Sequence, residues 1–240
     1  MLDWLFARDT PPTITLAGQT LPIVIRRLAQ SRRLTLRLSR DGREVRVSMP
    51  RWARTQDALD FAKARAEWLE AQLARHAPAA PLAHGATLPF RGEALRLHHD
   101  PALPRRVRLA DGQITVGGPA ESMDARLQRW LQGEARAMFA ADLAFYCERA
   151  GRAVPPLALS NAQARWGSCS ARGEVRLNWR LAMAPDFVRR SVVAHEVTHL
   201  LHFNHSPAFH ACLADLYEGD IAKADAWLKR HGRSLYAVLR

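Results

Sequence analysis

One short stretch of the chain has the residue types and the spacing of a metal site. Residues 195–199 are His-Glu-Val-Thr-His, two histidines four positions apart with a glutamate directly after the first. On an α-helix, His195 and His199 lie roughly 40° apart on one face and about 6 Å apart along the axis, so both imidazoles can reach one ion. Glu196 lies one step around the helix, where it can act as a base on a metal-bound water. The pattern predicts a zinc site.

The residues around this motif are those of a helix. Pro185 and Asp186 are typical of a first helical turn, because proline needs no amide partner there and aspartate favours the positive end of the helix dipole. A mostly apolar sequence follows, with Phe187, Val188, Val192, Leu200 and Leu201. The sequence therefore predicts an apolar helix that carries both histidines.

A catalytic zinc site needs a third protein ligand, and the sequence offers several. His205 is favoured, because Asn204 is a residue that can end a helix and Ser206-Pro207 can begin the next one. The chain must then turn at His205, which brings this residue back towards the first two histidines. The alternatives are Glu218 and His210. His202 is not expected to bind the metal, because three ligands in one row on a helix cannot form a tetrahedron.

Two β-rich stretches and two helices precede this part of the chain. Alternating apolar and polar residues predict strands at 13–16, 21–28, 34–38 and 44–49, and again near 86–90, 94–98, 106–110 and 113–116. Three or four antiparallel strands are expected in the first group. AspGly at 41–42 is a hairpin signal, and AspGly at 111–112 marks a turn between two of the later strands. Helical periodicity predicts one amphipathic helix over 55–76 and a long helix over 122–150. No internal repeat is visible in the sequence.

The charge of the chain points to anionic partners. It has 35 Lys+Arg against 23 Asp+Glu, a net charge of +12 and a pI near 11.0. The outward positions of the first β-rich stretch are mostly arginine, which predicts binding of nucleic acid or nucleotides through a basic surface. The alternative interpretation is a solvated sheet face without a ligand.

The same composition excludes several classes of protein. Three cysteines without C-x-x-C spacing encode neither a disulfide framework nor a zinc ribbon. No apolar window approaches the length of a membrane span, and residues 1–10 carry charges where a secretory signal needs an apolar run. We therefore expect a cytoplasmic protein without a membrane partner. The sequence does not indicate an oligomeric state.

The motifs together resemble a known family of proteases. ArgTrpGlySerCysSer at 165–170, the strand pattern at 174–181, HisGluValThrHis at 195–199 and AsnHisSerProAlaPhe at 204–209 closely resemble the YgjP-like metallopeptidases, zincins similar to the SprT-like proteases. The resemblance is most specific over 155–215. It implies His195, His199 and His205 as ligands of Zn²⁺ and Glu196 as the catalytic glutamate.

The expected fold class is therefore α+β, with two parts. A basic β-rich region with one amphipathic helix is expected over 1–119, and a helical, zincin-like metalloprotease domain over 120–240. Such an enzyme would hydrolyse protein or peptide substrates with a metal-activated water and a glutamate base.

The residues that contact the substrate are less strongly marked in the sequence. Arg165, Asn178 and Arg180 are the candidates, and the strand at 174–181 could pair with an extended peptide if it forms the sheet edge beside the zinc helix. The donors considered for the oxyanion are Arg165, Asn178, His210 and Tyr217.

Two other functions remain open at this point. The same metal site, flanked by Arg165, Arg176 and Arg180, could hydrolyse a phosphoanhydride such as that of a nucleoside triphosphate. The chain could also be a nucleic-acid binding module with a structural zinc, or a protease recruited to nucleic acid, as the likeness to SprT-like enzymes implies. A structural zinc, however, has no use for Glu196.

Overall fold

The structure, a computed structural model, describes residues 11–39, 41–74 and 82–239. Contacts between residues divide the chain into two compact units, Met1–Pro78 and Ala79–Arg240. Residues 1–10 and the last two residues of the helix predicted over 55–76 lie outside the described residues. None of the described helices is long and apolar enough to cross a membrane.

The first unit begins with a four-stranded sheet in the order β1-β2-β4-β3. Its strands are β1 (Thr13–Leu16), β2 (Gln19–Leu28), β3 (Thr35–Leu38) and β4 (Val45–Pro50). The four predicted strands are confirmed, but the expectation of purely antiparallel pairing is wrong, because β2 and β4 run parallel. Strand β4 lies between β2 and the edge strand β3. It pairs antiparallel with β3 and therefore runs in the same direction as β2.

Two helices cover one face of this sheet. They are α1 (Thr55–Ala64) and α2 (Ala66–Ala74), where the sequence predicted one helix over 55–76. The break falls at Arg65, whose backbone leaves the helical region at φ −113° and ψ 19°. The break lets Ala62 of α1 and Leu69 of α2 both pack against Val47 and other inward residues of the sheet, in one buried cluster.

The second unit begins with a sheet of the same design, in the order β5-β6-β8-β7. Its strands are β5 (Thr87–Phe90), β6 (Glu93–Asp100), β7 (Val107–Ala110) and β8 (Gln113–Gly117). As in the first sheet, the two hairpins are antiparallel and the central pair, β6 and β8, is parallel. The chain therefore contains a structural repeat that the sequence did not reveal.

The turns of the two sheets also correspond. The first hairpin of each sheet closes on two residues with positive φ, Ala17-Gly18 at 46° and 79° and Arg91-Gly92 at 52° and 86°. Such two-residue turns match the natural twist of paired strands. The predicted turn at Asp111-Gly112 is of the same kind, with φ of 51° and 70°, and Gly42 in the connection from β3 to β4 has φ of 71°.

Helix α3 (Met123–Arg149) confirms the long helix that the sequence predicted over 122–150. It ends at Gly151, which has a φ of 62°. Leu127, Leu131 and Phe139 of this helix belong to the same buried cluster as Leu97 and Val116 of the second sheet. The strands over 87–117 therefore share the core of the second unit. The boundary between the two units lies at residue 78, whereas the sequence pattern predicted it at residue 119.

A small third sheet and four helices complete the second unit. The strands are β9 (Leu157–Ser160), β10 (Gly167–Cys169) and β11 (Val175–Asn178), and the helices are α4 (Asp186–Thr198), α5 (Pro207–Leu216), α6 (Ile221–His231) and α7 (Leu235–Val238). The sheet order is β10-β11-β9. The predicted strand at 174–181 is shorter, because residues Trp179–Met183 form a 3₁₀ helix, and it lies in the middle of the sheet. The suggestion that it forms the sheet edge is wrong; β10 is the edge strand nearest α4.

The described chain is thus a mixed α+β protein, with its two four-stranded sheets in the N-terminal half and mostly helices after them. This agrees with the fold class expected from the sequence.

Candidate metal centre

Helix α4 holds the two motif histidines in the body of the second unit. Val188, Val193 and Val197 are fully buried along its inner side, which fixes the rotation of the helix about its axis. His195 and His199 are half-buried on another side. The helix predicted through this motif is confirmed.

The start of α4 is held by the first hairpin of the second sheet. The Arg91 and Gly92 backbone N–H groups donate to the carbonyls of Ala182 and Met183, at 2.8 and 3.1 Å. The Arg91 guanidinium also donates to both carboxylate oxygens of Asp186, the first residue of α4. A Cβ at position 92 would lie 2.8 Å from the ring of Pro185, so only glycine allows the turn to approach the helix so closely.

A buried ion pair joins α4 to α3. The Nε of Arg189 donates to the Asp142 carboxylate at 2.7 Å, and both side chains are almost completely buried. Arg189 also pairs with Asp186. Burial raises the pKa of Asp186, but the hydrogen bond from Arg91 and the charge of Arg189 outweigh it and keep that pKa below its usual value. The charged pairs fix α4 against its neighbours in the unit.

The chain turns sharply after α4, as predicted, but by a different route. The α-helix ends at Thr198, and the next turns are tighter, with the Leu200 N–H donating to the Val197 carbonyl at 2.9 Å. Asn204, expected to end the helix in the left-handed conformation, has no positive φ. The predicted start of the following helix is confirmed, since the Ser206 side chain caps α5 and Pro207 is its first residue.

This turn brings His205 back to the pair on α4. Each of His195, His199 and His205 offers a ring nitrogen, and these three atoms all lie within 4.8 Å of one another. The Nε2 atoms of His195 and His205 are 3.1 Å apart. The Nδ1 of His199 lies 3.1 Å from the His202 carbonyl oxygen, a contact in which Nδ1–H donates and Nε2 is left for a metal. The backbone oxygen of His202 thus accepts this hydrogen bond and orients the His199 ring, a role that the sequence did not indicate.

The donor set fits a zinc ion. Three imidazoles are a usual protein ligand set for catalytic zinc and leave one position for water or substrate. Burial and, to a lesser extent, the neighbouring His199 and His205 together lower the pKa of His195 to about 4, so this ring is neutral near pH 7, as metal ligation requires. His205 is exposed, so the site is accessible from its side.

Phe209 forms an apolar support for the three histidines. Its ring centre lies 4.9, 4.7 and 4.7 Å from those of His195, His199 and His205, and its side chain is fully buried. Such contacts restrict the ring orientations of the ligands. The sequence placed Phe209 within a family motif but did not indicate this contact, which depends on the turn before α5.

Glu196 is buried beneath strand β10. Only 5 % of the residue is exposed, and a Cβ at Gly167 would lie 2.4 Å from its Oε1, so glycine is required for this approach. Burial raises the pKa of Glu196 to about 7, against the opposing effects of the Arg165 charge and a hydrogen bond from the Cys169 backbone N–H. Among the described residues, Glu196 Oε2 has no hydrogen-bond partner. The carboxylate therefore keeps one free acceptor.

The other residues considered as third ligand lie elsewhere. The Glu218 carboxylate accepts a hydrogen bond from the Tyr146 hydroxyl at 2.8 Å and pairs with Arg190 at 2.6 Å. These bonds tie α3 and α4 to the end of α5, and Glu218 is not part of the histidine group. His210 is exposed, with its ring 6.3 Å from that of His205.

Two of the three residues expected to contact substrate have internal roles instead. Asn178 is fully buried and donates to the Ala162 carbonyl and the Tyr236 hydroxyl, both at 2.8 Å. Arg180 is 4 % exposed and donates to the Leu239 carbonyl at 3.0 Å. Both side chains hold the C-terminal segment, so the expectation that they contact substrate does not fit their burial. The exposed Arg165 is the remaining candidate.

Tyr217 is also unsuited to the role considered for it. It is buried, and its hydroxyl donates to the Phe187 carbonyl at 2.7 Å. Of the donors considered for an oxyanion, Arg165 and His210 thus remain exposed.

The structure gives no reason to assign a catalytic or redox role to the cysteines of the described residues. All three, within the described part of the chain, are free thiols. Burial, and to a lesser extent the charge of Glu196, raises the pKa of Cys169, so this thiol is not activated. It packs against the core of the second unit, as a small apolar side chain would.

Comparison with known families gives one match. The model of the YgjP-like metallopeptidase domain matches residues 32–231, most of the chain. A comparison with curated proteins finds no match, and neither does a comparison with solved structures.

Proposed function

Because the chain belongs to the YgjP-like metallopeptidase family, we propose that it is a zinc-dependent peptidase that hydrolyses peptide bonds in protein or peptide substrates. His195, His199 and His205 would hold the ion, and Glu196 would act as the general base. The observation that carries this proposal is the buried Glu196 carboxylate, next to His195 in the chain, with one oxygen that has no hydrogen-bond partner among the described residues.

The reaction follows from what each side chain can do. When bound, zinc supplies an acidified water and polarises the scissile carbonyl. Glu196 Oε2 accepts the proton of the attacking water and then delivers it to the leaving amine. A carboxyl with a pKa of about 7 is well matched to both transfers near neutral pH. The hydrogen bond from Cys169 and the close contact with Gly167 keep the carboxylate in place during these transfers.

The substrate would pair with strand β10. The Asn178 N–H donates to the Trp166 carbonyl and the Ser170 N–H donates to the Glu174 carbonyl, so these groups lie on the β11 side of the strand. Backbone groups alternate along a strand, and those of Gly167 therefore point away from β11, towards the free edge. An extended peptide added at this edge would lie beside α4 and the histidines. This replaces the strand at 174–181 as the expected substrate contact.

The oxyanion would be stabilised by Arg165 or His210. Arg165 is exposed, and its charge acts on Glu196. A permanently charged guanidinium can donate to an oxygen that becomes negative in the transition state. We favour Arg165 because it is close enough to Glu196 to affect its pKa.

Replacement of Glu196 by glutamine tests the proposal. The variant should keep about one zinc per chain and its fold, but lose most hydrolysis of a fluorescently labelled unfolded protein, because an amide cannot accept the proton. Glu148→Gln, which makes the same change at an exposed position of α3, is the matched control and should behave as the wild type. Undiminished hydrolysis by Glu196→Gln would refute the proposed role.

The phosphoanhydride reaction is less well supported by the same geometry. It needs several arginines around the metal site, but Arg176 pairs with Glu174, which lies just before its strand, and Arg180 is buried. Of that group, Arg165 is the arginine whose charge acts on Glu196. A nucleoside triphosphate assayed beside the protein substrate separates the two reactions, and hydrolysis of the nucleotide alone would favour the alternative.

A further inference from the structure

The outer face of the first sheet, which points away from α1 and α2, is rich in arginine. Arg37 of β3 lies directly opposite Arg46 of β4, and Arg26 of β2 lies opposite Ser48. Like charges facing each other across two strands destabilise a sheet, so this arrangement has a cost in stability. Arg46 pairs with Glu44, while Arg26 and Arg37 are exposed.

Charge in the first unit is divided between its two sides. Among described residues 11–39 and 41–54, which form the sheet and its loops, nine are arginine and two, Asp41 and Glu44, are acidic. Residues 55–74, which form the helices on the other side, carry four acidic residues and only Lys63 and Arg65 as bases. An ordinary solvated surface mixes the two signs. The sheet side is therefore a distinctly positive surface, complementary to a polyanion.

An exposed tryptophan lies at the end of this surface. Trp52 is 79 % exposed and lies two residues after the end of β4, with exposed Arg51 between it and the strand. Its loop is well held, because the Arg27 guanidinium donates to the Ala53 carbonyl and to the Thr55 hydroxyl. The indole therefore projects from a fixed backbone, which lowers the entropic cost of binding a ligand against it.

An exposed pair of arginines lies at the same end of the sheet. Arg32 and Arg33 are in the loop between β2 and β3, and β3 then begins at Thr35, opposite Ser48 near the end of β4. The second sheet repeats this feature, since the exposed pair Arg105 and Arg106 precedes β7 as Arg32 and Arg33 precede β3. The pair is thus present at the same topological position in both copies of the repeat.

We propose that the outer face of the first sheet binds single-stranded nucleic acid. Arg32, Arg33 and Arg37 contact phosphates, and Trp52 stacks on an unpaired base. An exposed indole among arginines suits a base with a planar face better than it suits an acidic peptide, and stacking requires a base that is free of its duplex partner. This inference does not depend on the peptidase activity.

The test measures binding of the full chain to a fluorescently labelled oligothymidylate of about 20 nucleotides, longer than one single-strand site, by anisotropy over a series of salt concentrations. Arg32→Gln with Arg33→Gln removes two charges from the surface, and Lys63→Gln with Arg65→Gln removes two from exposed positions on the helix side. The first pair should weaken binding about 10-fold and reduce the slope of log K against log salt by about 1.4, since each phosphate contact in a single strand contributes about 0.7. The second pair should change binding less than about 2-fold.

A second variant tests the role of stacking. Trp52→Ala should weaken binding about 10-fold with little change in the salt dependence, whereas Trp52→Phe should keep most of the affinity. Thermal unfolding by circular dichroism checks that each variant is folded. Glu196→Gln should bind as the wild type does, which separates this surface from the proposed active site.

Three results would overturn the inference. The first is that binding is absent or does not depend on salt. The second is that the two double variants, on the sheet side and on the helix side, weaken binding equally. The third is that polyglutamate competes with the labelled oligonucleotide as effectively, per charge, as unlabelled oligonucleotide does. The second would mean that only the net charge matters, and the third that the surface serves acidic proteins.

Discussion

Gly167 is the residue that lets Glu196 reach its position. A methyl group there would lie 2.4 Å from Glu196 Oε1 and 2.7 Å from its Cγ, too close for any arrangement without a shift. We expect Gly167→Ala to displace the carboxylate and lower kcat by about 100-fold, since misplacement by about 1 Å has effects of this size. Zinc content should stay at that of the wild type, because the histidines are not touched.

Gly133 provides the control for that substitution. It lies exposed in α3, and a Cβ there meets nothing within 4 Å. Gly133→Ala should therefore leave kcat unchanged and raise the stability by about 0.5–1 kcal/mol, the usual gain for alanine in a helix. Wild-type turnover in Gly167→Ala would show that the contact with Glu196 does not position the base.

His205 and Glu218 can be distinguished by their effects on the metal. We expect His205→Ala to weaken zinc binding at least about 10-fold, because two ligands hold the ion poorly. Glu218→Ala should keep the metal and lose only about 1 kcal/mol of stability, since its partner Arg190 is partly exposed. Elemental analysis after dialysis against a weak chelator measures both. Full zinc in His205→Ala together with its loss in Glu218→Ala would reverse the proposed ligand set.

At the scale of single residues, the sequence predicted the features of the site that depend on local geometry. The spacing of His195 and His199 follows from one helix, and the turn at His205 follows from residues beside it. Gly167 contacts Glu196, and Phe209 contacts the histidines, because the fold brings separate parts of the chain together. The spacing of these residues in the sequence therefore does not predict the contacts. Asn178 and Arg180 were both expected on the strand over 174–181, but Arg180 lies in the 3₁₀ helix after β11. The burial of both residues depends on the C-terminal segment that covers them.

At the scale of elements, the existence of strands and helices was predictable and their pairing was not. Alternation and the AspGly turns are local signals, and the predicted strands are present. The parallel pairs β2 with β4 and β6 with β8 depend on which strand lies at the edge, which alternation does not encode. For the same reason β11 could be mistaken for an edge strand. The break between α1 and α2 was missed because Arg65 is an ordinary helix former.

The contact between the β5–β6 hairpin and α4 gives a test at this scale. Gly92 has φ of 86°, and an added Cβ would lie 2.8 Å from Pro185, whereas Gly112 holds the same turn position with φ of 70° and nothing within 4 Å. Gly112→Ala should cost about 1 kcal/mol for the left-handed backbone alone. Gly92→Ala should cost about 2–4 kcal/mol, since it also overpacks the start of α4. Urea unfolding compares the two, and equal losses would contradict the positioning role of the hairpin.

At the scale of the whole molecule, two features were hidden in the sequence. The two four-stranded sheets have the same strand order and turn type. Their sequences share mainly the alternation of apolar and polar residues, which most half-buried strands show. The net charge of +12 could be read from the sequence. The separation of basic and acidic residues between the sheet side and the helix side of the first unit could be recognised only from the fold. The boundary between the units was misplaced because the strands over 87–117 resemble those of the first sheet, although they pack in the core of the second unit.

The separate cores of the two units predict separate unfolding. Leu69 lies fully buried in the cluster of the first unit, and Leu127 lies fully buried in the cluster of the second. Replacement of either by alanine should cost about 2–5 kcal/mol in its own unit. Hydrogen exchange in mild denaturant should show Leu69→Ala opening β4 while α3 stays protected and zinc stays bound, because the histidines belong to the other unit. Leu127→Ala should open α3 and release zinc. If Leu69→Ala exposes α3 as much as β4, the two units unfold as one cooperative body, and the division of the chain at residue 78 has no thermodynamic meaning.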